Sequence, residues 1–189
     1  MHYRCYLERL ENTLHNLIVT DPHGVKLSQE EGLLQWCQIC HQAKQSDKTM
    51  YFIGNGASAT MASHMAADFS KNCNCRAMAF NDVALMTAVS NDTHYEDCFA
   101  VPLARFSNPG DVLITVSSSG NSPNVIKAIA YARELGLTII TVSGMRSDNR
   151  SRVLGDLNFW VPADTYGVAE ACHQALLHCW LDTFLEIYL

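Results

Sequence analysis

A chain of 189 residues, 48% of them apolar and 17% charged, has ordinary globular composition. It is long enough to bury roughly two thirds of the surface its unfolded form exposes, without a disulfide framework, low-complexity tract or solenoid repeat. A formal charge of −6 with no local Lys/Arg cluster excludes a phosphodiester backbone as direct ligand. No apolar run nears the roughly 18 residues that span a bilayer, and residues 1–9 are charged every few positions, unlike a signal peptide. The expectation is a cytoplasmic protein with neither membrane nor nucleic acid as partner, its eight cysteines reduced.

In chain order, residues 3–20 place Tyr3, Tyr6, Leu7, Leu10, Leu14, Leu17 and Ile18 at helical spacing. Asp21-Pro22-His23-Gly24 breaks that pattern. A second helix starts after Ser28, whose hydroxyl can cap it, with Glu31 at the capping-box position. Within it, Cys37-Gln38-Ile39-Cys40 imitates a redox motif. Such a motif needs a preceding strand and a helix that begins at its first Cys, whereas this one falls in mid-helix, which suits two half-buried helix residues.

From Thr49 the texture changes. The apolar run Met50-Tyr51-Phe52-Ile53 ends in Gly54-Asn55-Gly56-Ala57-Ser58 and a helical stretch follows. The arrangement recurs downstream: residues 112–116 run into Ser117-Ser118-Ser119-Gly120-Asn121-Ser122, and a helix follows from Pro123, a residue suited to a first helical position, to Leu135. Gly136 ends that helix, residues 138–142 form a further buried strand before Ser143-Gly144, and shorter strands are expected at 76–80 and 157–161. Strands apolar on both faces and alternating with helices indicate a parallel sheet covered on two sides. Ligands of such sheets sit beyond the carboxyl ends of the strands, where both Gly/Ser-rich loops fall.

A loop of Ser and Gly entering a helix offers backbone N–H groups, the positive helix end and hydroxyl donors to one small anion. One or two serines would serve a helix cap and a polar turn; Ser117, Ser118, Ser119 and Ser122 exceed that need and point to a phosphate. No Lys follows the glycine as in nucleotide P-loops, so no nucleotide is expected. Asn55 and Ser58 of the first loop would be further anchors.

His64 and Asp68 are four apart on one helix face, and Glu170 and His178 are eight apart on the last helix, about 80° apart in projection. Two nitrogens and two carboxylates suit a zinc-type ion, or a division of proton-transfer roles without metal, or nothing beyond surface acids and packed histidines. His173 lies about 140° around the helix from His178, which suits core or interface packing. His94 stays unassigned.

The segments GNGAS at 54–58, SNDTHYED at 90–97 and PGDVLITVSSSGNSPNVIKAI at 109–129 together resemble the sugar isomerase (SIS) domain family, and within it the phosphoheptose isomerases; the likeness spans nearly the whole chain. It implies one SIS domain over 1–189, with a helical pair at 1–47 used in oligomer packing and an α/β core at 48–189. The core would be a three-layer α-β-α sandwich around a five-stranded parallel sheet, flavodoxin- or Rossmann-like. It implies a homotetramer with active sites shared between subunits, in keeping with an apolar excess on the first two helices. Phosphate would bind at Ser117, Ser118, Ser119 and Ser122 near Ser58, and Asp92 would contact the sugar. One zinc per site would be held by His64, Asp68, Glu170 and His178, with Asp68 as candidate base and His178 as its acid/base partner.

The reaction so implied interconverts sedoheptulose 7-phosphate and D-glycero-D-manno-heptose 7-phosphate through an enediol, in carbohydrate metabolism that feeds heptose and lipopolysaccharide biosynthesis. Isomerisation of another sugar phosphate is a near variant. A non-catalytic SIS module that binds a phosphosugar or a protein is the alternative; such relatives replace the Asp68 carboxylate with a small residue, and this chain retains it. Three departures from the family stand out: Asp68 for Glu, Glu170 for Gln, and Tyr166-Gly167-Val168-Ala169 where relatives carry an acidic–Arg pair. A second carboxylate favours a dication, and the changed 166–169 segment bears on the sugar's far end.

Overall fold

The computed structural model describes residues 2–189. Its elements run α1 (Tyr3–His15), β1 (Ile18–Thr20), β2 (Lys26–Leu27), α2 (Gln29–Gln45), β3 (Thr49–Gly54), α3 (Ala57–Cys73), β4 (Arg76–Ala79), α4 (Val83–Asp92), α5 (Ala100–Phe106), β5 (Val112–Ser117), α6 (Pro123–Glu134), β6 (Thr138–Gly144), β7 (Leu157–Val161) and α7 (Tyr166–Tyr188). The strands form one sheet in the order β2-β1-β7-β6-β5-β3-β4.

The five strands expected from sequence are the parallel core: β3 pairs with β4 and β5, β5 with β6, and β6 with β7, all parallel. Taken among themselves they follow the flavodoxin order, with its reversal between β3 and β5. The two Gly/Ser-rich loops leave those two strands and so flank the point where such sheets bind ligands.

The sheet nevertheless has seven strands, because the first helix stops at His15 instead of running to residue 20. The β-branched run Ile18-Val19-Thr20 pairs antiparallel with β7, placing Val19 opposite Phe159, and Val19 is buried. Pairing at an open sheet edge outweighs helical spacing that three such residues satisfy poorly. The break at 21–24 is then a hairpin turn into β2. The Asp21 carboxylate accepts from the backbone N–H groups of His23 and Val25 at 2.9 and 2.8 Å. The capping box at Ser28 and Glu31 is present as expected. Helices α4 and α5 have no counterpart among the elements expected from sequence.

Successive residues of β3 face opposite layers. Met50 and Phe52 join a core with Trp36, Phe69, Trp180 and Phe184, while Tyr51 and Ile53 join one with Phe99, Val125 and Ile129. Helices α2, α3 and α7 thus cover one face and α5 and α6 the other. Trp180 stacks on both Trp36 and Phe69 with centroids 4.1 Å apart, and burying each such ring contributes roughly 1.5–3 kcal/mol. The cysteine pair fits here as core material: Cys37 and Cys40 are fully buried in mid-helix. Burial pushes the Cys37 thiol up to about 12 and Cys40 well above its ordinary value, so neither offers a thiolate. All eight cysteines are free. No helix of the described residues is long and apolar enough to cross a membrane.

His173 is core, as its angle on the helix implies. It is fully buried, its Nε2 is 3.1 Å from the Ser143 carbonyl oxygen, and burial lowers its pKa to about 4. Between pH 6.5 and 4 the unfolded chain takes up a proton that the folded one refuses. Stability from this group is therefore full above pH 6.5 and is lost as pH falls toward 4. A loss of roughly 3 kcal/mol is expected across that window, read as a falling denaturation midpoint, with a flatter profile for His173→Gln.

Candidate active site

Strand β3 ends at Gly54 because the chain must turn at once into α3: a Cβ there would lie 2.8 Å from the Ser58 backbone. This close approach brings Asn55 and the buried Ser58 beside the loop that leaves β5. That second loop closes through Gly120, whose N–H donates to the Ser117 carbonyl at 3.0 Å. Gly120 has φ +63°, and its carbonyl accepts from Ser151 N–H at 2.9 Å. The Asn121 side-chain oxygen accepts from Arg150 N–H at 3.0 Å, so residues 149–151 brace the loop from behind.

The outcome is a cavity of about 130 Å3 lined by Asn55, Ser58, Ser117, Ser118, Ser119, Ser122, Tyr166 and Glu170. Six of the seven expected phosphate or substrate residues are thereby brought together. The use of serine as a helix cap does not account for them: Ser122 is the N-cap of α6, yet its hydroxyl makes no capping bond. The buried Ser118 hydroxyl has no partner within the protein, a cost that a phosphate oxygen would remove. The positive end of a twelve-residue helix faces the same place. Asp92, the seventh residue, is absent from this wall; it ends α4, exposed, and accepts from Asn91 Nδ2 at 3.0 Å.

The titratable residues divide into two places. His64 and Asp68 meet on α3 as their spacing requires, with Nε2 and Oδ2 3.3 Å apart. His178 of α7 joins them, its ring 5.3 Å from that of His64. One ligand atom from each of the three lies within 4.8 Å of the others. Two imidazoles and a carboxylate are a donor set that suits catalytic zinc, with a position left for substrate. Glu170, expected with them, instead lines the serine cavity two turns earlier on α7.

Sequence reasoning missed Asn124 and Tyr95, and named Tyr166 only as part of the changed 166–169 segment. Asn124 is buried and exchanges two amide hydrogen bonds of 2.9 Å with Asn55; Tyr95 donates to Asn55 Oδ1, also at 2.9 Å. The available signal was an Asn in the first turn of the helix that follows the serine loop. Tyr166, 57% exposed, enters the wall as the first residue of α7.

The SIS domain family model matches residues 21–144. Among similar proteins, the phosphoheptose isomerase of Aromatoleum aromaticum is 36% identical over 137 residues, 68% of this chain and 69% of that protein. The phosphoheptose isomerase of Helicobacter pylori is 30% identical over 161 residues, 82% of this chain and 83% of its own. The solved structure of phosphoheptose isomerase from Neisseria gonorrhoeae superposes with a TM-score of 0.85 at 25% identity, covering 98% of this chain and 96% of that one.

Proposed function

This chain belongs to the SIS domain family and, within it, to the phosphoheptose isomerases, and from that membership we propose that it interconverts sedoheptulose 7-phosphate and D-glycero-D-manno-heptose 7-phosphate. The observation that carries the reading is the pairing, in such a chain, of a serine cavity at a helix N-terminus with a His64–Asp68–His178 cluster built on α3 and α7, the two helices that also give the cavity Ser58, Tyr166 and Glu170. We propose further that the protein works in the cytoplasm as a homotetramer with residues 1–47 in its interfaces. Exposed Tyr3 and Leu7 on α1 support a covered helix face.

In the mechanism the serine hydroxyls, the Asn55 amide and the α6 N-terminus hold the 7-phosphate, so the sugar chain is oriented before chemistry begins. Asp68, with Oδ2 toward His64, presents Oδ1 as base and takes a proton from C1 of the ketose. His178 supplies a proton to the C2 oxygen as the cis-enediol forms. In the second half the C1 hydroxyl loses its proton to His178 and Asp68 returns the carbon-bound proton to C2, so atoms and charge balance. His64, Asp68 and His178 would hold a zinc ion; when bound, such an ion polarises the carbonyl and stabilises the developing oxyanion.

The test compares metal-depleted with zinc-supplied protein on sedoheptulose 7-phosphate, following new aldose signals by NMR and zinc content by elemental analysis. We expect turnover in the zinc-supplied form with about one zinc per chain, and a loss of at least tenfold after depletion. No turnover in either state removes the heptose assignment. Full turnover after depletion removes the zinc.

A further inference from the structure

We propose that Tyr95 and Asn124 are positioning residues that lock the Asn55 carboxamide with an N–H, not its carbonyl, toward the bound phosphate. The inference rests on the isomerase reading only for the identity of that phosphate.

The argument begins at a group with no choice of role. The backbone N–H of Val125 can only donate, and it donates to Asn124 Oδ1 at 3.0 Å. Asn124 therefore points its oxygen toward Val125 and its Nδ2 the other way, where one hydrogen goes to Cys98 Sγ at 3.2 Å and the other to Asn55 Oδ1 at 2.9 Å. In return Asn55 Nδ2 donates to Asn124 Oδ1 at 2.9 Å. Exchanging O and N on Asn55 would set donor against donor and acceptor against acceptor, so one backbone group fixes both amides.

Tyr95 completes the arrangement. Its hydroxyl gives Asn55 Oδ1 a second donor at 2.9 Å, and burial pushes the phenol above its ordinary value, so it keeps its proton. With Oδ1 occupied twice and one Nδ2 hydrogen committed, what Asn55 has left for the cavity it lines is a single N–H. That matters because the cavity wall contains no Lys or Arg and does contain the Glu170 carboxylate. Affinity for an anion must then come from neutral donors held in a fixed direction. The clamp also joins the loop after β3 to the helix after the serine loop, so both halves of the anion site share one hinge.

The experiment is a calorimetric titration with inorganic phosphate, with steady-state kinetics on sedoheptulose 7-phosphate, for the full-length protein and its Asn55→Asp, Tyr95→Phe, Asn55→Ala and Asn55→Ala/Tyr95→Phe variants. Asn55→Asp keeps the Oδ1 acceptor for Tyr95 and Asn124 but replaces Nδ2, with both its donor to the cavity and its donor to Asn124 Oδ1, by a carboxylate oxygen. Phosphate affinity should fall at least about thirtyfold. Tyr95→Phe, at a half-exposed position, should raise KM about threefold to tenfold with kcat within about twofold. That effect should vanish once Asn55 is alanine, which a merely structural role for Tyr95 would not produce. Unchanged or tighter phosphate binding by Asn55→Asp, or a Tyr95→Phe effect that persists without Asn55, overturns the proposal. A wild-type protein that binds phosphate but does not isomerise the heptose counts against the isomerase reading and leaves this one standing.

Discussion

Replacing Asp68 with Asn is expected to lower turnover of sedoheptulose 7-phosphate by about a thousandfold or more, with KM changed less than about threefold. The amide keeps the volume and can still meet His64, but it cannot take a proton from carbon. Asp68 is only part-buried and its side chain is no part of either sheet core, so the fold does not depend on its charge. Asp68 is not among the residues that line the serine cavity proposed to hold the phosphate, so the loss is expected to fall on kcat. The decisive measurement is exchange of the substrate's carbon-bound proton with deuterated solvent. It should stop in Asp68→Asn, fall steeply in His178→Gln, and persist in Asp68→Glu, which keeps a carboxylate. Exchange at the wild-type rate in Asp68→Asn would exclude this carboxylate as the base.

Gly120→Ala should cost about 4–5 kcal/mol, observed as a large drop in the denaturation midpoint. Two effects add. At φ +63° an L side chain is strained, and the new Cβ would lie 2.0 Å from Asn149 Oδ1 and 2.8 Å from its Cβ. Asn149 is buried and cannot swing aside freely. Its Nδ2 donates to the Gly144 and Arg146 carbonyls at 3.2 and 2.8 Å, and its Oδ1 accepts from Arg152 N–H at 3.1 Å. Whatever fraction stays folded should bind phosphate weakly, because the displaced segment is the one that braces the serine loop. An unchanged midpoint would show that this brace yields without cost.

The parallel core and both anion loops were legible because each leaves a local mark: continuous apolar runs for strands buried on two faces, and glycine or serine where they end. The serine loop in particular could be read from one stretch of chain, and all four of its serines line the cavity together. What escaped depends on partners distant in sequence. Ile18 falls in the helical period of the first helix, and residues 18–20 become a strand because β7 offers them an edge. Asn124 reads as any polar residue in a first helical turn until Asn55, sixty-nine positions away, is folded beside it. The placement of Glu170 follows the same logic. Its projected angle allowed it to share a cavity with His178, but two turns of rise put it in the wall of the serine cavity while His178 meets α3. Angle is visible in a helical pattern, whereas what stands opposite each turn is not.

The small hairpin at the start of the sheet has a bearing on solubility. Without β1 and β2, the fully buried, five-residue strand β7 would present an open ladder of N–H and C=O groups to any extended segment nearby. With them, the outermost strand on that side is two residues long and carries an exposed Lys26, and the opposite rim is the four-residue β4, headed by Arg76 in an ion pair with Asp47. Short, charged rims template strand addition poorly, so copies of this chain are discouraged from joining sheet to sheet into open-ended fibres. Self-association is left to helical faces, which can close on themselves in a finite assembly.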